Sequence, residues 1–154
     1  MITLKRTSSD DFDFRKLVVL LDQNLQEKDG DAHSFYAQFN KIDRIKEVVV
    51  AFIDDTAVGC GAFKVYDKTT VEIKRMFVKP DHRGHGIAQH ILKELETWAL
   101  ESGYHACILE TGKKQPEAIR LYQKAGYLSI PNYGQYANVE NSVCMKKPIL
   151  LVGL

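Results

Sequence analysis

Long apolar runs are missing from this chain. No stretch approaches the roughly 20 consecutive apolar residues of a membrane-spanning helix. The opening MITLKRTSSDDFDF has no apolar block of the kind a secretion signal carries, so neither a span nor a signal peptide is expected. Net charge is nearly missing too: 21 Lys and Arg stand against 20 Asp and Glu, a formal +1. That excludes broad electrostatic binding to nucleic acid or a membrane surface, though not a local basic pocket. Cysteine is sparse. Cys60, Cys107 and Cys144 are odd in number, far apart and each set in an apolar run, with no pair at metal-ligand spacing. They read as buried thiols of a protein in the reducing cytoplasm, with no metal. No internal repeat, low-complexity segment or linker divides the chain.

One domain over residues 1–154 is therefore expected. At this length about two-thirds of the unfolded surface can be buried, enough for a core without disulfides. A composition of 45% hydrophobic and 27% charged residues suits a globular protein. ITLKR alternates like a strand. After the capping residues of SSDD, Phe14, Leu17, Leu21 and Leu25 mark one face of a helix that KDGD ends. AHSFYAQFNKI reads as a second helix. EVVVAFID, AVGCGAFKVY and VEIKRMFV, joined by the turns DDT and DKTT, read as an antiparallel meander. From Gly86 the period becomes helical, with Ile87, Ile91, Leu92, Leu95, Trp98 and Ala99 on one face until Ser102-Gly103. ACILE is apolar up to its closing Glu110, as in a strand covered on both sides. QPEAIRLYQKAG is a helix with Pro116 in its first turn and Gly126 at its end. YLSI and SVCMKK close the sheet around the loop PNYGQYANVEN. The order β-α-α-β-β-β-α-β-α-β-β predicts an α+β fold with a mixed, mainly antiparallel sheet flanked by helices. The apolar tail ILLVGL suits a sheet edge or a partner, which leaves monomer and homodimer both open.

The chemistry gathers in KPDHRGHGIAQHIL, residues 79–92. A helix N-terminus offers unsatisfied N–H groups and the positive end of a dipole. Gly84 and Gly86 let an anion approach the backbone, and His82, Arg83 and His85 add positive charge. A plain strand-to-helix turn would need the glycines but not the charge. A P-loop is excluded, because Ile87 and Ala88 stand where its Lys and Ser/Thr would be. A dinucleotide fold is excluded by the preceding meander and by Gln89 in place of a third glycine.

With its Val78-Lys79-Pro80 approach, this stretch resembles the acetyl-CoA motif of the GNAT superfamily of N-acetyltransferases, Arg83, Gly86 and Ala88 filling its three defined positions. EAIRLYQKAGY is similar to the family's second signature at Ala118, Leu121, Tyr122, Gly126 and Tyr127. The element order is also that of the acyl-CoA N-acyltransferase fold, so the resemblance runs from about Thr3 to Lys147. It matches a bacterial subgroup whose substrates are mostly unassigned. It implies acetyl-CoA as cosubstrate. The pyrophosphate would lie on the backbone of Arg83, Gly84, His85, Gly86, Ile87 and Ala88, and the pantetheine arm along the backbone of Met76, Phe77 and Val78. Gln115 stands seven residues before the tyrosine, where many relatives carry a cofactor-contacting Asn.

Moving an acetyl group from a thioester to an amine requires loss of an amine proton, stabilisation of an oxyanion and protonation of the departing thiolate. The resemblance places Tyr122 as the acid; the alternative is a core aromatic. It places Glu72 as a base, against a solvated strand face or proton removal by water alone. Strand alternation sets Glu72, Lys74, Met76 and Val78 on one side and Val71, Ile73, Arg75 and Phe77 on the other. Arg75 then carries a charge at an apolar parity. It calls for a re-aiming bulge, a carboxylate partner such as Glu110, or a role holding a substrate carboxylate. The acceptor cleft implied by the family would draw His33, Tyr36 and Asn40 from one segment and Tyr133 and Tyr136 from the late loop. Aromatic walls with polar tips suit a small polar amine; as walls or loop pins, both loop tyrosines remain open. The leading expectation is direct transfer to the primary amine of a small molecule. The alternatives are a protein or peptide N-acetyltransferase and a CoA-binding module without turnover.

Overall fold

The computed structural model of the protein describes residues 1–29 and 44–149. The expected second helix, with His33, Tyr36 and Asn40, lies outside them, as do residues 150–154 of the tail. Strand β1 (Ile2–Thr7) leads into helix α1 (Phe12–Asp29), followed by the meander β2 (Glu47–Ile53), β3 (Thr56–Val65) and β4 (Thr70–Val78). Helix α2 (Ile87–Glu101), strand β5 (Ala106–Gly112), helix α3 (Pro116–Lys124) and strands β6 (Leu128–Ile130) and β7 (Ser142–Pro148) complete the order. The strands form a seven-stranded sheet, β1-β2-β3-β4-β5-β7-β6. Among the described strands, only β4 and β5 pair in parallel. The mixed, mainly antiparallel α+β expectation holds.

Local chemistry sets most boundaries. Asp11 accepts the Phe14 N–H at 3.0 Å and caps α1. Asp54 and Asp55, both with positive φ (48° and 67°), make the two-residue hairpin turn between β2 and β3. Gly126, at φ 102°, ends α3, and the Tyr127 N–H returns to the Tyr122 carbonyl at 3.0 Å.

The centre of the sheet is buried on both faces, and β2 shows how. Val48 and Val50 pack with Phe14, Leu17 and Leu21 of α1, whereas Val49 and Ala51 pack with Ile91, Leu92 and Leu95 of α2. Helix α2 lies very close to β3: a Cβ on Gly61 would sit 2.8 Å from Ile91 and 2.9 Å from Leu95. One detail of the expected α2 face differs. Trp98 is only half-buried, with the Arg6 guanidinium 5.0 Å over its ring. Glu96 is buried instead, because Tyr127 and Lys147 donate to it at 2.8 and 2.7 Å. Ile149, the first tail residue, packs into the α2-side core.

Two features of β4 open the sheet. It pairs with β5 only at Thr70, Val71 and Glu72, and the two strands then part. On its other side a bulge sets Arg75 and Met76 against the single residue Gly61, with Arg75 at φ 59°. The extra residue reverses the alternation expected beyond Lys74. Phe77 joins the α1 face, while Val78 joins Val71 and Ile73 on the α2 face. The bulge anticipated from the charge of Arg75 is present.

Candidate active site

The gap between β4 and β5 widens into a cleft of about 930 Å3. One wall is Met76, Phe77 and Val78 with the following loop; the other is the face of α3 carrying Ala118, Leu121 and Tyr122. Beyond Glu72 no described residue of β5 pairs with β4, so one backbone edge of Met76–Val78 faces this cleft. Lys79 leads into a single 3-10 turn over Pro80–His82. Gly84 and Gly86 follow at φ 82° and 78°, values that favour glycine. A Cβ on Gly84 would meet nothing within 4 Å, and one on Gly86 only the His90 ring at 3.9 Å. The glycines are thus required by backbone conformation, not by crowding. No side chain caps the first turn of α2. Its leading N–H groups are the donors an anion needs.

Arg83 does more than add charge. Its Nε donates to the Val78 carbonyl at 2.8 Å, and its guanidinium lies 5.6 Å over the Phe77 ring. It ties the loop to the end of β4. His82 lines the cleft, and its buried Nδ1 has no hydrogen-bond partner. His85 is exposed and does not line it, because the turn between the two glycines carries its side chain outward. Arg120 and Lys124, one turn apart on α3, add positive charge to the opposite wall. Their i, i+4 spacing, which puts both on one helix face, is the sequence signal for them.

A second cavity of about 120 Å3 adjoins the cleft. The two share Leu21, Met76, Gln115, Ala118 and Tyr122. The smaller one is lined by Glu72, Lys74, Arg75, Glu110 and Thr111 over an apolar floor of Leu21, Leu25 and Leu109. Tyr122 therefore stands at the junction. It is 7% exposed and packs edge-on to Tyr127 at 5.9 Å. Burial, helped by the charge of Glu110, pushes its phenol above the ordinary tyrosine range, so it stays protonated.

The remaining polar groups are set by long-range contacts. The Tyr133 hydroxyl donates to Glu72 Oε2 at 2.6 Å. Tyr133 also packs edge-on against Tyr66 at 5.3 Å and Tyr136 at 5.8 Å, and Tyr136 is buried. Neither loop tyrosine lines the small cavity: Tyr133 reaches it through Glu72, and Tyr136 packs behind Tyr133. Ser142 donates to Glu110 at 2.7 Å. Arg75 is the main departure from expectation. Its carboxylate partner is Asp22 of α1, at 2.9 Å, not Glu110. The bulge aims the guanidinium at α1, where its side chain is 3% exposed. Lys74 was not anticipated as a site residue. Burial lowers its pKa, although Glu72 and Glu110 act the other way.

None of the three cysteines lines either cavity. All are free and buried, and burial pushes the Cys60 and Cys107 thiols up to about 12. Among the described residues no group of His, Cys, Asp or Glu is arranged to hold a metal, and no helix is long and apolar enough to cross a membrane.

A parted β4/β5 pair, a glycine loop at a helix mouth and a buried tyrosine between them define an acyltransferase architecture. Residues 14–127 match the acetyltransferase (GNAT) family, and the chain belongs to that family. It is 38% identical over 102 residues to an IAA acetyltransferase of Azospirillum brasilense, covering 66% of this chain and 67% of that protein. An uncharacterised N-acetyltransferase of Bacillus subtilis strain 168 is 33% identical over 101 residues, 64% of this chain and 67% of that one. Among solved structures, a candidate acyl-CoA N-acyltransferase from Klebsiella pneumoniae superposes with a TM-score of 0.81 at 30% identity, over 97% of this chain and 99% of that one.

Proposed function

We propose that the protein is a cytoplasmic, acetyl-CoA-dependent N-acetyltransferase that moves an acetyl group directly to the primary amine of a small molecule. The observation that carries this reading is the pair of adjoining cavities that meet at Tyr122. A large cleft with an uncapped helix mouth and basic walls suits a long, anionic cosubstrate. A small charged cavity suits the acceptor.

Acetyl-CoA, when bound, supplies the activated acyl group. The residues present fit it. The N–H groups of Gly86, Ile87 and Ala88, the unpartnered Nδ1 of His82 and the charges of Arg83, Arg120 and Lys124 suit its phosphates. The open backbone edge of Met76–Val78 suits an amide-bearing arm and presents N–H groups for a carbonyl oxygen. Gln115 borders both cavities. Tyr122 keeps its proton and donates it to the leaving sulfur. Glu72, held by Tyr133, accepts the proton that the amine loses. Direct transfer is supported because the described thiols are buried, strongly protonated and away from both cavities, so none serves as an acyl carrier.

A thiol-release assay over a panel of amines, beside calorimetry with acetyl-CoA, tests this reading. Tight acetyl-CoA binding with transfer to small amines is expected. Binding without transfer to any amine would make the protein a CoA-binding module, and transfer to peptides alone a protein acetyltransferase.

A further inference from the structure

Among the described residues, positive φ outside glycine occurs at Asp54, Asp55 and Arg75. The two aspartates form a hairpin turn, where that residue type is common. Arg75 instead lies within strand β4, at φ 59°. Elsewhere the chain meets positive φ with glycine, as at Gly103, Gly126 and Gly134. An arginine is strained in that conformation and persists there only where its surroundings hold it. Three contacts do so. Gly61, opposite the bulge, leaves room for the next side chain: a Cβ there would lie 2.5 Å from the Met76 sulfur. The Cys60 thiol donates to the Arg75 carbonyl at 3.4 Å. The buried guanidinium is tied to Asp22 of α1 at 2.9 Å. Ion pair and bulge require each other. Without the bulge, Arg75 would follow Val71 and Ile73 toward the apolar α2 face, away from Asp22. Without Asp22, the buried charge would have no ion-pair partner among the described residues. The next residues in the chain are Met76, Phe77 and Val78, whose backbone edge faces the cleft. That edge takes its direction from the turn at Arg75.

We infer that Asp22 and Arg75 are positioning residues: their ion pair fixes the left-handed turn from which the Met76–Val78 N–H groups are aimed at an acyl carbonyl. This rests on the acetyltransferase reading above and adds two residues to it. Asp22 acts through Arg75, and Arg75 acts through its own backbone rather than by binding substrate. Donors already in place need no rearrangement when charge develops on the oxygen, so a clamp on the backbone serves the reaction as well as the fold. The clamp also ties β4 to the part of α1 that carries Leu21 and Leu25, which line the small cavity.

Acetyl-CoA labelled with carbon-13 in its carbonyl tests the inference without an acceptor. It is bound to the full-length protein at a saturating concentration set by calorimetry, and the carbonyl carbon is followed by NMR. Hydrogen-bond donors draw electron density from a carbonyl, so the wild type should move this resonance downfield of its position in buffer. Asp22→Ala, with Asp22→Asn as a second variant should the first not fold, should lose at least about half of that shift. A pair that only stabilised the fold would leave the shift alone. Arg75→Gly and Arg75→Met both remove the charge, and methionine fills more of the space, but only glycine takes positive φ unaided. Arg75→Gly should therefore keep at least about twofold more of the shift than Arg75→Met. A full shift in the folded Asp22 variant overturns the inference, as do equal losses in Arg75→Gly and Arg75→Met. Wild-type binding with no shift overturns it too, and all three results leave acetyl-CoA binding standing. Failure of acetyl-CoA to bind the wild type overturns the acetyltransferase reading, and the inference with it.

Discussion

The two adjoining cavities are built on different principles. The large cleft is framed by backbone: the parted edge of β4, two left-handed glycines and the first turn of α2, with α3 opposite. Its residues fall in two nearly continuous stretches, 76–89 and 115–124, apart from Leu21 and Asn24. The small cavity is defined by side chains whose partners lie far away in sequence. Glu72 meets Tyr133 across 61 positions, Arg75 meets Asp22 across 53 and Glu110 meets Ser142 across 32. Backbone recognition suits a cosubstrate common to a whole family, because it tolerates side-chain change. Side-chain recognition suits an acceptor that differs from one relative to the next. Affinity for the common cosubstrate and choice of acceptor should therefore be separable by mutation.

The largest expected effect breaks the cleft alone. Gly86→Glu should reduce acetyl-CoA affinity more than about 100-fold in a calorimetric titration, since a like charge at the cradle costs several kcal/mol. Gly86→Ala is the control. Positive φ should cost it about 1 kcal/mol of stability in denaturant unfolding while affinity falls far less. Equal losses in both variants would remove electrostatics from the explanation.

Tyr122→Phe acts at the junction. Turnover should fall by about 100-fold, the low end of general acid catalysis, with acetyl-CoA affinity nearly unchanged. Unchanged turnover would return Tyr122 to the core. Arg83→Met should weaken acetyl-CoA binding by about tenfold and lower stability by about 1 kcal/mol, as the bond to the Val78 carbonyl is lost. Acceptor preference should not move. Tyr133→Phe is the mirror experiment. It should lower kcat/KM for the acceptor by a few-fold and leave acetyl-CoA affinity intact, which a mere loop pin would not do.

The mildest effect is a titration. Burial raises the phenol pKa of Tyr122, Tyr127, Tyr133 and Tyr136. The stability these phenols contribute is whole below the unfolded value of about 10 and is lost as pH rises toward the folded values. Ultraviolet titration of the native protein should leave at least these four tyrosines protonated where a denatured chain ionises all seven. Early ionisation of all seven would show that the junction is wetter than its packing implies.

Much of the cleft was legible in the sequence because its requirements are local. Positive φ needs Gly84 and Gly86, the first turn of α3 accepts Pro116, its end needs Gly126, and the spacing of Ile87, Ile91 and Leu95 settles α2. Even the bulge was foreshadowed, by a fixed charge at an apolar parity. Its consequence was not. One extra residue turned Phe77 to the α1 face and aimed Arg75 at Asp22 rather than Glu110, and no local pattern announces which carboxylate a bulge will reach. His85 shows the same limit on a smaller scale, since the motif fixes its place in the loop but not the direction of its side chain.

By itself, then, the chain determined its elements, the glycine loop and the tyrosine helix, because these depend on φ, hydrogen-bond supply and hydrophobic period within a few residues. Tertiary structure alone decided that Tyr133 holds Glu72, that α1 claims Arg75, and that Lys74 shares a cavity with two carboxylates. Those contacts depend on how far β4 parts from β5 and how the late loop folds back over them, distances that no neighbouring residues control.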